Sequence, residues 1–278
     1  MKIGIATSVI RRVEPAKSLK VLNDLGFKYL ELSYENFIAT KASLSDSWKE
    51  IRDNVSKLNL SIIQIHAPYE ASKFKNYNRD EIKKSLKILE PWFKVASELN
   101  SVVVIHPAII TPQTNEKTQR YAEKLEDLNI DFFNEISKLA EDLGIYIAIE
   151  NRVERVFGNT VEDLISIIKS VNSKSLGICI DVGHLIASEL DVIESIKRSR
   201  NYLIALHLHD NNGFFDQHFP PMTGVLNWES LIRTLKEIEF RRPLIFEAIC
   251  NEVRVEMCVN WAKLTKIIGD YLLSLISS

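Results

Sequence analysis

Leu143-Gly144-Ile145-Tyr146-Ile147-Ala148-Ile149-Glu150 (LGIYIAIE) is the stretch on which the fold turns. Before it runs a long amphipathic segment, Tyr121–Leu143, in which Leu125, Leu128, Phe132, Ile136 and Leu139 recur at helical spacing. Gly144 therefore reads as a glycine closing a helix in the left-handed conformation. A short strand follows at once, and a carboxylate ends it. This order of helix, turn, strand and polar residue recurs along the chain.

Eight short strands are predicted: Lys2–Ala6, Tyr29–Ser33, Ser61–His66, Val102–His106, Tyr146–Glu150, Gly177–Asp181, Leu203–His207 and Leu244–Glu247. Each precedes a helical pattern; Glu81–Leu99, with Leu86, Leu89, Phe93 and Ala96 on one face, is another clear helix, and Leu25-Gly26-Phe27 repeats the glycine ending. Eight βα units predict an α/β fold, a (β/α)8 TIM barrel built as one domain over residues 1–278. A doubly wound open sheet is the alternative, but no glycine-rich phosphate loop follows the first strand. In a barrel the C-terminal ends of all strands face one mouth, so polar residues at those ends become neighbours.

Bulk properties agree with such a domain. The chain has 278 residues, 46% hydrophobic and 26% charged, enough apolar material for one large core. A formal net charge of -2 gives no general support for polyanion binding. Cys179, Cys250 and Cys258 have no CxxC spacing and are odd in number, which argues against a disulfide framework and for a reducing cytoplasm. Met1–Val9 reads as a first strand rather than a secretory leader, and no apolar run reaches membrane-spanning length, so a soluble protein is expected.

The strand ends carry the chemistry. His66, His106 and His207 end the third, fourth and seventh strands; Glu150, Asp181 and Glu247 end the fifth, sixth and eighth. One such residue is readily explained as a structural hydrogen-bonding group. Six in succession are not, because each carboxylate entering a buried mouth needs compensation, which a divalent cation supplies. His184 stands three residues after Asp181, and Asp216 and His218 lie in the loop GFFDQHFPPMTG after strand seven. Nitrogen and oxygen donors without thiolate favour zinc, with manganese or iron as alternatives, and nine donors imply two or three ions.

In this order, IHAPY, IHP, IEN, IDVGH, HLHD, DQH and FEA resemble the xylose isomerase-like barrel superfamily that contains endonuclease IV, over nearly the whole chain. The resemblance to endonuclease IV implies a trinuclear zinc centre held by His66, His106, Glu150, Asp181, His184, His207, Asp216, His218 and Glu247. Sugar isomerases and epimerases similar to D-tagatose 3-epimerase imply a smaller set, Glu150, Asp181, His207 and Glu247. In these, Glu150 and Glu247 are the catalytic pair that moves protons on opposite sides of the substrate. Such relatives often pair as homodimers.

Two reactions follow from the resemblance. One is metal-assisted isomerisation or epimerisation of a small sugar or sugar phosphate, and the other is phosphodiester cleavage in abasic-site DNA. The rim favours the first. The segment after strand two, SYENFIATKAS, has one lysine and one glutamate where endonuclease IV is expected to carry DNA-contacting arginines. Glu70–Arg79 (EASKFKNYNR) is the most basic rim segment; it reads as an ordinary solvated loop, or else as a grip for one phosphate. Phe214, Phe215, Phe219, Pro220 and Pro221 suit a roof over a small pocket or a subunit contact. Arg152 and His209 are the candidate substrate contacts. Arg152 can alternatively pair with Glu154 or Asp181, and His209, read as outward-facing and partly exposed, can alternatively bond Asp210.

Overall fold

A computed structural model describes residues 1–111 and 118–277. Eight parallel strands close into a barrel: β1 (Ile3–Ala6), β2 (Tyr29–Leu32), β3 (Ser61–His66), β4 (Val102–Ile105), β5 (Tyr146–Glu150), β6 (Leu176–Asp181), β7 (Leu203–Leu208) and β8 (Leu244–Phe246). Neighbours in sequence are neighbours in the sheet, and β8 pairs with β1 to complete the circle. The expected barrel is therefore present, and the open sheet is excluded.

Strand periodicity decides which residues face inward. Val102, Val104, Ala148, Cys179 and Ala205 form a small separate cluster inside the barrel, while the larger apolar side chains pack in the layer between strands and helices. Side chains two residues apart share a face of a strand. His106, Glu150, Asp181 and His207 each stand two residues beyond a member of this cluster, so the same pleat that fills the barrel with small residues delivers them to its mouth. At Gly4 the barrel is too tight for a side chain: a Cβ there would lie 2.5 Å from both the Ile245 side chain and the Tyr29 carbonyl oxygen.

Helices surround the strands. Gly144 and Gly26 take the left-handed conformation at helix ends, as expected, with φ of 65° and 87°. Asn100 and Asn172 perform the same turn after two other helices. N-caps mark several starts: the Asn78 side chain accepts from Glu81 N at 2.9 Å, and Thr160 with Asp163 forms a reciprocal capping box, each such cap contributing roughly 1 kcal/mol. No helix among the described residues is long and apolar enough to cross a membrane.

Two sequence expectations need correction. Cys250 and Cys258 form a disulfide linking the loop after β8 to the helix Val255–Ser277. The chain doubles back there and brings the two Cα atoms to 5.3 Å, within bridging range, which residue spacing alone did not reveal. With this bridge the cysteines no longer point to a reducing compartment; Cys179 is free and buried. The basic segment Glu70–Arg79 is also more than a solvated loop. Lys73–Phe74 pairs in parallel with Ile109–Ile110 and Phe74 is buried beneath, while Lys73 and residues 75–79 are exposed.

Candidate metal centre

Glu150 is the hub of the mouth. Its Oε2 lies 3.1 Å from His66 Nε2 and 3.5 Å from His106 Nε2, while its Oε1 lies 2.9 Å from His207 Nδ1. One carboxylate thus belongs to two donor groups. The first is His66, His106 and Glu150; the second is Glu150, Asp181, His207 and Glu247, supplied by β5, β6, β7 and the residue after β8. A third group, His184, Asp216 and His218, comes from the loops that follow β6 and β7. Within each group, one donor atom per residue lies within 4.8 Å of the others. All nine residues singled out from the sequence are accounted for in these three groups; a fourth group, His209, His218 and Glu247, overlaps them and adds His209.

The rings of His66, His184, His207 and His218 are oriented as metal-binding histidines usually are, with one nitrogen tied to a protein acceptor and the other turned to the group. A carbonyl oxygen only accepts, so the nitrogen facing it must carry the proton. His66 Nδ1 donates to Ala67 O at 3.0 Å, His184 Nδ1 to Asn151 O at 2.8 Å, and His218 Nδ1 to Glu247 O at 2.9 Å. Their Nε2 atoms are left facing carboxylates: Glu150 for His66, and Asp216 for both His184 (3.3 Å) and His218 (3.1 Å). In His207 the polarity reverses, because Nε2 meets Glu31 Oε2 at 2.6 Å and Nδ1 faces Glu150.

Local structure holds the carboxylates. Asp181 ends β6 and caps the short helix Val182–Ala187, accepting from His184 N at 2.8 Å. Asn151 joins β5 to β6: its Oδ1 accepts from Asp181 N at 2.8 Å and its Nδ2 donates to Asp181 O at 3.1 Å. The loop after β7 is tied off by a two-way backbone pairing of Asp210 with Phe219, and buried Asp210 also accepts from Trp228 Nε1 at 2.8 Å. That knot sets the Asp216-x-His218 pair over the mouth.

Electrostatics show how the protein alone balances this much buried charge. Burial pushes the Glu150 carboxyl up, but the imidazoles of His106 and His207 outweigh it and hold it well below the usual range. Burial likewise acts against His66, yet Glu150 and neighbouring carboxylates raise it to about 10; His218 reaches about 9 through Asp216 and Glu247. His184 is raised well above its ordinary value by Asp181 and Asp216, against burial. Burial raises Glu247 to about 8 and drives His106 down to about 3. Protons on imidazoles thus supply the positive charge among these carboxylates in the metal-free protein, a role divalent cations can take over. Asp216 Oδ1 is buried without a hydrogen-bond partner among the described residues, as an open ligand position would be, and His106 Nδ1, the nitrogen turned away from Glu150, is likewise unpartnered. Nitrogen and oxygen donors gathered in this way suit a divalent transition-metal ion.

Glu31 escaped the reading of the sequence. It lies in β2, is fully buried, and accepts from His207 Nε2 and from Gln64 Nε2 at 3.0 Å. Its signal was a lone carboxylate inside an apolar strand, YLEL. His209 was expected to face outward; it is instead fully buried, with Nε2 2.9 Å from Asp181 Oδ1. Of the segment expected as a roof or a subunit contact, Phe214 and Phe215 are 76% and 67% exposed, while Pro220 and Pro221 are buried. Arg152 is buried and engaged, donating to both carboxylate oxygens of Glu154 and, at 2.8 Å, to Pro107 O.

Comparison with known proteins agrees with this architecture. The family model described as xylose isomerase-like TIM barrel matches residues 19–267. An uncharacterised protein of Methanocaldococcus jannaschii is 29% identical over 245 residues, covering 86% of this chain and 81% of the relative. A D-psicose 3-epimerase of Enterocloster bolteae is 22% identical over 246 residues, covering 83% and 75%. Among solved structures, that of a D-tagatose 3-epimerase-like protein superposes with a TM-score of 0.82 at 27% identity, covering 100% of this chain and 98% of the other.

Proposed function

The chain belongs to the xylose isomerase-like TIM barrel family, and from that premise we propose that it is a metal-dependent isomerase or epimerase of a small sugar or sugar phosphate. One observation carries the reading. Glu150 and Glu247 enter the same buried four-donor group from β5 and from the end of β8, three strands apart around the barrel, so two carboxylates flank one position from different sides. That is the placement needed to remove a proton from a carbon and return one to it or to its neighbour.

When bound, a divalent cation supplies Lewis-acid polarisation of a carbonyl and its adjacent hydroxyl. The protein's own residues do the rest. Asp181 and His207 would hold the ion together with the two glutamates, Glu31 keeps the His207 proton on Nε2, and Asn151 keeps Asp181 at the strand end. The similarity to proteins named as epimerases of D-psicose and D-tagatose type supports a ketose as the substrate class.

A second reading, an endonuclease IV-like zinc phosphodiesterase acting on abasic-site DNA, is favoured by the His184–Asp216–His218 group, which a one-metal isomerase does not need. The rim weighs against it. Neither loop that supplies this group, residues 182–191 and 209–227, contains a lysine or arginine, whereas affinity for a duplex rests on cations that neutralise phosphates. The two readings separate in one experiment. Zinc- or manganese-loaded protein in D2O should exchange a carbon-bound proton of a ketose such as D-psicose or D-tagatose, or of a ketose phosphate, by NMR. Glu247→Gln should cut that rate by about 10²-fold or more. Incision of an abasic-site duplex with steep salt dependence, and no exchange in any sugar, would overturn the proposal.

A further inference from the structure

We propose that His209 is a positioning residue for the metal centre, one ring that holds Asp181 of the strand-end group and His218 of the loop group at the same time. The inference rests on the metal-centre reading and deepens it. His209 lies two residues beyond His207 and turns to the same side, where it is fully buried. Its Nε2 faces both carboxylate oxygens of Asp181, at 2.9 and 3.1 Å. These contacts are shorter than that of Nδ1 with Asp210 O, at 3.4 Å, so the ring donates to Asp181 through Nε2; His209 also falls within a donor group with His218 and Glu247, and the cobalt bands below separate bracing from ligation. Asp181 Oδ1 already accepts from His184 N, and with His209 added that oxygen is saturated. Oδ2 is left as the oxygen turned to His207 Nδ1 and His184 Nε2, each at 3.9 Å.

The other face of the ring supports the loop group. His209 stacks on His218 with ring centres 3.9 Å apart and planes at 17°. His218 needs such support, since its backbone sits at φ 51°, a conformation uncommon for residues other than glycine. The seat for the ring is made by Gly183: a Cβ at that position would fall 1.8 Å from His209 Cε1, inside the ring's own volume. Gly183, in the Asp181-x-Gly183-His184 turn, and His209 therefore form one device, a residue without a side chain making room for an imidazole that braces donors of two groups. Partners at one remove from a metal commonly set its affinity by 10–100-fold.

The test is zinc competition against a chromogenic chelator on the full chain, with cobalt absorption as a second readout and circular dichroism to verify folding. His218→Ala identifies the step of the titration that belongs to the loop group. His209→Ala is expected to weaken both the strand-end and the loop steps by roughly 10–100-fold. Gly183→Ala keeps the imidazole but evicts it from its seat, and should do the same. His209→Asn, whose amide can still donate to Asp181 but offers no stacking ring, should restore the strand-end step to within a few fold and leave the loop step weak. The cobalt bands of fully loaded His209→Asn should match those of the wild type. Equal zinc affinity in wild type and His209→Ala, or loss confined to one step, overturns the shared role; shifted cobalt bands make His209 a ligand and overturn it too. A wild type that takes up no zinc overturns the metal reading itself and this inference with it, a result distinct from a wild type that loads and variants that load equally well.

Discussion

Replacing Glu31 by glutamine tests whether a buried carboxylate outside the donor groups governs the metal centre. The substitution removes one charge and keeps the shape. Glu31 and His207 are both fully buried, and Glu31 Oε2 accepts hydrogen bonds from His207 Nε2 at 2.6 Å and Gln64 Nε2 at 3.0 Å. A hydrogen bond to a charged group contributes about 1.5–3 kcal/mol and a neutral one about 0.5–1.5, so Glu31→Gln forfeits roughly 1–1.5 kcal/mol of hold on the His207 ring. At about 1.4 kcal/mol per tenfold, zinc affinity of the strand-end group should fall about 5- to 10-fold. Glu31→Ala also leaves the His207 Nε2 proton unpaired in a dry site, and should fall further, within the 10–100-fold range usual for partners of a ligating histidine. Chelator competition at fixed pH measures the affinities, and urea unfolding of the metal-free proteins separates stability from binding. The expected order is wild type, then Glu31→Gln, then Glu31→Ala. Glu31→Ala binding zinc as tightly as wild type would refute the argument that Glu31 orients His207.

Other outcomes follow from the same geometry. Protein refolded with excess zinc should hold more than one ion per chain by elemental analysis, and His218→Ala should lower that number while the circular dichroism stays unchanged. Zinc uptake at pH 7 in a weak buffer should release protons, because His66 and His218, raised to about 10 and 9 by surrounding carboxylates, and Glu247, raised to about 8 by burial, are protonated in the metal-free protein. Both histidines have folded pKa values above the unfolded one. Their stabilisation of the metal-free barrel is thus complete below about pH 6.5 and lost as pH rises toward 9–10. Melting temperature should fall across that window without metal and less with zinc; a metal-free protein equally stable at pH 6.5 and 9.5 would contradict this. Gly4→Ala forces a Cβ to 2.5 Å from the Tyr29 carbonyl oxygen and should cost about 1–3 kcal/mol in urea unfolding; an unchanged midpoint would show that β1 can yield there.

What the sequence determined alone is local and periodic. The bounds of β3 and β5 were legible to the residue, because a run of strand formers closed by His66 or Glu150 has a definite end. Gly144 announced a helix end because left-handed backbone suits a residue without a side chain. Nine donors could be placed at one mouth because parallel strands of a barrel all point their ends the same way. Tertiary structure decided the rest. Whether Glu31 faces the barrel interior depends on the pleat of β2 in the closed sheet, and a single carboxylate in a four-residue strand does not reveal which face is inside. Burial of His209 depends on the space above Gly183, formed only when the turn after β6 lies against the end of β7. The Cys250–Cys258 bridge required a reversal after β8 that no spacing rule encodes. Periodicity is written residue by residue, whereas burial and partnership arise only where distant segments meet.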